Sequence, residues 1–341
     1  MTASPLRLRL DGAALVSNWK LLARLSEGAA CGAAVKADGY GLGAGEVVRR
    51  LAEAGCRDFF VAAWSEARAL ADLGVSVSVL HGVQAGEMAD MPAGVRPVLN
   101  TPEQVARWRE GGGDRCDVMV DTGMNRLGVS IADVGAGLLD GLRIETLMTH
   151  MVSADEDVPL NERQRAAFAG LAGRTQARRM SLANSAAIAL GRDYAFDLTR
   201  PGIALYGGVQ RSGHAGIRQV ATPEVRIIQR RRVRAGETVG YNATFTAPRD
   251  MEIATLNLGY ADGYLRCFSE KGRARAGDAV LPVIGRVSMD LTALCVDAAP
   301  ELAEGDWVAM DYALPETAAL SGLSQYELLT GLGKRFDRVW E

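Results

Sequence analysis

The chain has 341 residues, 48% of them hydrophobic and 23% charged, an ordinary balance for a globular protein with room for a barrel-sized domain and a second one. Its formal charge of −3 is spread without a basic block, which argues against nucleic acid as a partner, and no apolar run approaches membrane-spanning length. Five cysteines without CxxC spacing and only three histidines argue against a disulfide frame and against a metal centre; no signal-peptide core is visible in MTASPLRLRLDG, so a cytoplasmic protein is expected.

In chain order, Leu6 to Leu10 alternates like a short strand, and Asp11 to Ser26 reads as an amphipathic helix. The run CGAAV, Cys31 to Val35, reads as a buried strand that delivers Lys36; glycines then interrupt the pattern before a helix opens near Ala44. A rhythm follows. Strands are expected at 59–64, 75–80, 95–99, 118–120, 144–149, 179–182 and 196–198, and helices at 46–54, 65–73, 84–90, 102–110, 133–139, 161–173 and 185–190. Eight strands alternating with helices predict an α/β fold, a (β/α)8 TIM-type barrel over 1–218, and no GxGxxG fingerprint favours an open doubly wound sheet. From about Gln219 short β-type runs separated by Gly, Pro and Asp predict a second, mainly β domain over 219–341, with helix nearly absent until 324–332.

Barrel chemistry gathers at the carboxyl ends of the strands. Lys36 ends the first strand, His150 the sixth, Asn184 and Ser185 the seventh, and Arg200 follows the eighth. A lysine desolvated at a strand end can form a Schiff base with an aldehyde, while the glycines beside it let backbone N–H groups approach a phosphate and Tyr40 offers a hydroxyl. Read alone, the same stretch is equally a lysine capping a strand and a tyrosine packed in a loop.

The rest of the chain supplies further motifs. VKADGYGLG (35–43), VDTGMNRLG (120–128), TLMTHMVSADE (146–156), SLANSAA (181–187), TRPGIALYG (199–207), VGYNATF (239–245), LGYADGY (258–264) and IGRVSMD (284–290) stand in one order. In these motifs, over nearly its whole length, the chain resembles the bacterial alanine racemases, two-domain pyridoxal phosphate enzymes of fold type III. The resemblance implies that Lys36 holds the cofactor covalently and then serves as a base on one face of it. It assigns the opposite face to Tyr241, since a single base returning its proton to the same face would give no inversion. The two lie in different domains, so a homodimer is implied, with Tyr241 entering the partner's barrel mouth. A phenol is a weak base at neutral pH, and His150 with Arg200 behind it would supply the positive surroundings that favour the phenolate. Arg200 is also implied to donate to the cofactor's ring nitrogen, which keeps that nitrogen unprotonated and favours reprotonation at the α carbon over transamination.

By the same resemblance Tyr40, Asn184, Ser185 and the backbone of Gly202 and Ile203 bind the cofactor, while Arg126, Met289, Tyr260 and Asp290 face the substrate. Read without it, Tyr241 is a packing residue, His150 a core histidine, Arg200 a surface cation, Ser185 a helix cap and Met289 a core methionine. The sequence departs from the family at three supporting positions. Met119 stands where many members carry a carbamylated lysine that orients the arginine equivalent to Arg126; Leu42 replaces a histidine; and Phe336 is the nearest aromatic to an expected C-terminal tyrosine. The implied activity is interconversion of L- and D-alanine, feeding cell-wall precursors. Alternatives are a racemase for another amino acid such as serine, or a non-catalytic pyridoxal phosphate carrier, which would lack the β domain.

Overall fold

In the computed structural model, which describes residues 4–341, the eight apolar segments form parallel strands. They are Ala30–Cys31 continued by Ala33–Ala34, then Asp58–Val61, Ser76–Val79, Val95–Leu99, Arg115–Asp121, Arg143–Met148, Arg179–Ser181 and Leu198–Thr199. The first seven pair in sequence. The eighth returns to the first through Leu198 opposite Ala30 and Thr199 opposite Cys31. It is tied to the seventh where Asp197 N donates to Met180 O at 3.0 Å and Arg200 N to Ala183 O at 2.8 Å. The ring is therefore closed, a (β/α)8 barrel occupying Ala14–Arg218.

Local chemistry places the helices between the strands. Pro102 opens Pro102–Glu110, Thr101 caps it by accepting Gln104 N at 3.1 Å, and Gly111 follows its end. Ala44–Ala54 buries Val47, Val48 and Leu51, and stops at Gly55, whose φ of 115° is open to glycine without strain. The helix expected at 84–90 is only a 3-10 turn, Glu87–Asp90, because Gly86 and Pro92 bracket too short a span for α turns. Inside the barrel, a charged layer crosses the strands. Asp117 is fully buried, accepts Ser78 Oγ at 2.5 Å and Thr146 N at 2.9 Å, and lies 3.5 Å from Arg96; burial raises its pKa. Arg179 grips Asp58 with two bonds, at 2.7 and 3.0 Å.

The second unit is built on one long strand, Ala221–Val233. Its first half pairs with Trp307–Met310 and its second with Met251–Leu256, the register shifting between Ile227 and Gln229. Thr292–Cys295, Ala279–Ile284 and Arg273–Ala276 complete an antiparallel circuit back to Trp307–Met310. The N-terminal strand corrects the expectation that 1–218 form the barrel domain. Leu6–Leu10 pairs antiparallel with Ala221–Val233 and parallel with Asp337–Trp340, so 4–13 belong with Gln219–Glu341. Leu6, Leu8 and Leu10 are buried there, while Arg9 Nε, on the opposite face, holds Glu224 at 2.8 Å, as strand alternation requires. A helix at Leu314–Ser321, opened by Pro315, was not expected from the sequence; Gln325–Thr330 was.

Candidate active site

Lys36 leaves the first barrel strand directly after Val35, whose N–H still pairs with Phe60 O at 2.8 Å. The chain then winds the wrong way. Ala37, Asp38, Gly39 and Tyr40 have φ of 53°, 53°, 63° and 57°, forming a left-handed turn in which only one of the four is glycine. For L residues this conformation costs roughly 1 to 2 kcal/mol each, so the turn persists only because its surroundings hold it. Glu66 does so at its start, accepting Ala37 N at 2.6 Å, and Asp38 at its end, accepting Ala44 N at 2.8 Å. Tyr40 is stacked on Tyr206 at 4.7 Å, and the Tyr206 hydroxyl donates to Ala34 O at 2.9 Å.

The same turn carries Tyr40 to the loop after the eighth strand. A Cβ on Gly202 would lie 2.2 Å from the Tyr40 hydroxyl, so only glycine fits. Ser185 Oγ accepts Gly202 N at 2.8 Å and Ala204 N at 3.3 Å. Asn184, not Ser185, caps the short helix, its Oδ1 accepting Ala187 N at 3.0 Å, which leaves the Ser185 hydroxyl for the loop. Ile203 opens the 3-10 turn Ile203–Tyr206, where geometry leaves its N–H without an intrahelical partner. Two hydroxyls and the N–H of Ile203 thus converge on one spot, a donor set suited to a phosphate. Lys36 and this cradle together fit pyridoxal phosphate.

Arg200 is buried; its guanidinium donates to Thr149 O at 2.5 Å and to Ser181 Oγ. Burial lowers its pKa to about 10, partly offset by Asp117, so it stays cationic at neutral pH. His150 is pushed the other way from the expected charge: burial first, then Arg200, Arg126 and Lys36, bring its pKa down to about 3, so the imidazole is neutral. The positive charge behind the histidine therefore resides on Arg200. Lys36 is likewise lowered, by burial and then by Arg126, with Glu66 acting against the shift. A lowered lysine is a free amine, and hence a nucleophile, at lower pH.

Arg126 follows a turn in which Asp121 Oδ1 accepts Gly123 N at 2.8 Å and Met124 N at 2.9 Å. Among the described residues its guanidinium makes no hydrogen bond or ion pair, and Met119, buried in the fifth strand, offers it none. Leu42 is fully buried and Phe336 nearly so, which makes both core residues here. Gln164 was missed by sequence reading. It is fully buried, and its amide ties His150 O at 3.1 Å, Val152 N at 3.0 Å and Thr122 Oγ1 at 3.2 Å, bracing the loop that carries His150.

In the second unit Tyr241 projects from a tight turn between Thr238–Val239 and Phe245–Thr246 with 70% of its surface exposed. It borders a cavity of about 270 Å³ lined also by Gly240, Arg286, Ser288 and Leu291. Nearby in the chain, Met289 is 54% exposed, so its side chain is not the core methionine that its type suggests. Two loops are zipped together where Tyr260 N donates to Ser288 O and Ala261 N to Met289 O, both at 3.0 Å. Arg266 lies over the Tyr260 ring at 5.2 Å, and Asp290 accepts Arg335 Nη1 at 2.8 Å. Among the described residues no group of side chains could hold a metal ion, and all five cysteines are free.

Family comparison agrees with this geometry. The model of the alanine racemase N-terminal domain matches residues 10–210, and that of the alanine racemase C-terminal domain matches residues 220–340. The chain belongs to the alanine racemase family. Among its relatives, alanine racemase of Acidiphilium cryptum is 42% identical, covering 97% of this chain and 98% of that protein. Alanine racemase of Jannaschia sp. is 44% identical with the same coverage, and a relative from Agrobacterium fabrum is named as the catabolic alanine racemase, at 42% identity over 98% of this chain and 91% of that one. The solved alanine racemase of Bartonella henselae, which contains covalently bound pyridoxal phosphate, is 31% identical with a TM-score of 0.89 over the whole of both chains. The biosynthetic alanine racemase of Pseudomonas aeruginosa, at 33% identity, has a TM-score of 0.88 over 99% of this chain and all of that one. The match to the alanine racemase C-terminal domain over residues 220–340 disfavours the reading of a single-barrel carrier.

Proposed function

We propose that this alanine racemase works by two bases, Lys36 on one face of pyridoxal phosphate and Tyr241 of the partner subunit on the other, in a cytoplasmic homodimer that supplies D-alanine for cell-wall precursors. The enzyme is a pyridoxal phosphate-dependent isomerase that interconverts L- and D-alanine. The observation that carries the site assignment is the joining of Lys36, Tyr40, Ser185 and Gly202 at one end of the barrel, an amine for covalent capture beside donors for a phosphate.

What bound pyridoxal phosphate supplies is delocalisation of the electron pair left when the α proton departs. The residues decide the rest. Lys36 Nζ holds the cofactor, and once displaced by substrate it takes or returns a proton at the α carbon. Tyr241 of the partner subunit gives or takes the proton on the opposite face, so that the configuration inverts. Arg200 remains a cation and can only donate, so a ring nitrogen against it carries no proton, which restrains transamination. His150, held neutral by burial and by the charge of Arg200, would stand beside Tyr241 of the partner subunit as an uncharged hydrogen-bonding group, the positive charge resting on Arg200. Tyr40, the Ser185 hydroxyl and the N–H of Ile203 hold the phosphate; Gly202, whose N–H donates to Ser185 Oγ, lets the backbone come close beside them, and Asn184 fixes the helix that presents Ser185. Arg126 and the backbone at Met289 receive the substrate carboxylate, with Tyr260 and Asp290 at the entrance.

The homodimer is supported by the exposure of Tyr241 and Leu291, which border one cavity of the β unit, and of Met289 two residues before Leu291, apolar area that a monomer would leave in water. The cytoplasmic reading is supported by five free cysteines, and no helix among the described residues is long and apolar enough to cross a membrane. The test is to incubate protein and cofactor with L-alanine in deuterated water and follow D-alanine and α-deuterium together. D-alanine bearing α-deuterium is the expected product; cofactor binding with neither exchange nor product would overturn the assignment.

A further inference from the structure

The left-handed turn after Lys36 is held in place by a side chain 29 residues further on. Glu66 lies in the helix Trp64–Arg68 that follows the second barrel strand, and its two carboxylate oxygens do different things. Oε2 accepts Ala62 N at 2.7 Å and Ala63 N at 3.2 Å, closing its own helix start. Oε1 leaves that element altogether and accepts Ala37 N, the peptide N–H next to the lysine, at 2.6 Å. Ala37 is in the left-handed region, where an alanine gains nothing from its own conformation, so this bond opposes relaxation of the turn at its first residue.

We propose that Glu66 is a positioning residue for Lys36: by clamping Ala37 N–H it fixes the direction in which the lysine leaves the first strand, and with it the approach of Nζ to the cofactor. The inference rests on the reading of Lys36 as the cofactor-bearing lysine. Glu66 is also the acidic group that acts on the amine, against Arg126. Its role is to aim Nζ, with no proton transferred by the carboxylate itself.

The discriminating variant is Glu66→Asp. It keeps the charge and can still serve the N–H groups at Ala62 and Ala63, but its carboxylate is drawn back by one methylene from Ala37. Two readouts besides racemase activity are the rate of covalent capture of pyridoxal phosphate by the apoprotein and the visible circular dichroism of the bound cofactor, which reports its fixed orientation. Capture slowed about tenfold or more, with a weakened dichroic band and unchanged thermal unfolding, is the expected result, since misplacing a reacting group by about 1 Å can cost 100-fold. Parent-like capture and dichroism in Glu66→Asp would reduce Glu66 to a helix cap and overturn the proposal. Glu66→Gln provides a second variant: its amide can accept on one side only, and rates equal to the parent's would count against the proposal equally. Borohydride reduction of Lys36→Ala separates the two levels, because a stable adduct in that variant removes the lysine reading whatever Glu66 does.

Discussion

Arg335 bridges two carboxylates from separate loops, donating from Nε to Asp262 Oδ1 at 2.6 Å and from Nη1 to Asp290 Oδ1 at 2.8 Å. Asp262 is buried and also accepts Gly259 N at 3.0 Å, so the arginine satisfies a carboxylate that water cannot reach while holding one of the entrance residues. Arg335→Ala is expected to lower stability by about 1 to 2 kcal/mol, less than for a fully buried pair because the arginine is half exposed. Adding Asp262→Asn, which removes the stranded charge, restores most of the loss in thermal unfolding. An unchanged melting point in Arg335→Ala would show that the bridge contributes nothing.

Gly202→Ala places a methyl where the Tyr40 hydroxyl lies. The tyrosine must leave its stack on Tyr206 or the loop must shift, a cost of about 1 to 3 kcal/mol for overpacking. Cofactor titration followed by absorbance should show affinity lower by about tenfold or more, and affinity equal to the parent's would remove Gly202 from the cradle.

The lowered pKa of Lys36 predicts that covalent capture of the cofactor rises with pH and levels off below the pH at which an ordinary lysine, near pH 10.4, would do so. Arg126→Gln removes a cation that disfavours the protonated amine, so its capture profile should move to higher pH. A shift in the opposite direction would contradict the electrostatic account.

His150 affects stability on the acid side. Its pKa is lowered from 6.5 to about 3, so between those values the unfolded chain binds a proton that the folded one refuses. Stability therefore rises with pH across that window, and falls as acid is added. His150→Gln should flatten the slope of chemical-denaturation stability between about pH 4 and pH 6; an unaltered slope would mean that the imidazole titrates normally in the fold.

Tyr241→Phe removes a hydroxyl from a side chain that is 70% exposed, so folding and cofactor absorbance should be unaffected. Racemisation should fall by about 100-fold to 10,000-fold, the range for a lost acid/base group, while α-deuterium exchange without inversion survives on the enantiomer that Lys36 serves. Full racemase activity would sink the two-base assignment.

Much of this was legible in the order of residues. Eight short, mostly apolar segments with helical spacers specify barrel strands, since strands covered on both faces are rich in hydrophobic residues, and the lysine, glycines and serine at their ends mark the mouth. The choice between Ser185 as cap and Ser185 as ligand was not legible. Asn184 and Ser185 are both good caps, and only the approach of Gly202 N to the Ser185 hydroxyl separates their roles.

What the sequence by itself determined is the alternation of strands and helices that makes a (β/α)8 barrel followed by a mainly β unit, and the motifs that carry the family resemblance. The tertiary structure alone decided the home of Leu6–Leu10, the hand of the turn after Lys36, the bridge at Arg335 and the neutral state of His150. The physical reason is the same in each case. Alternation and local propensity act between near neighbours, whereas a strand's partner, a clamped N–H, a shared guanidinium and a shifted proton depend on groups brought together from distant parts of the chain.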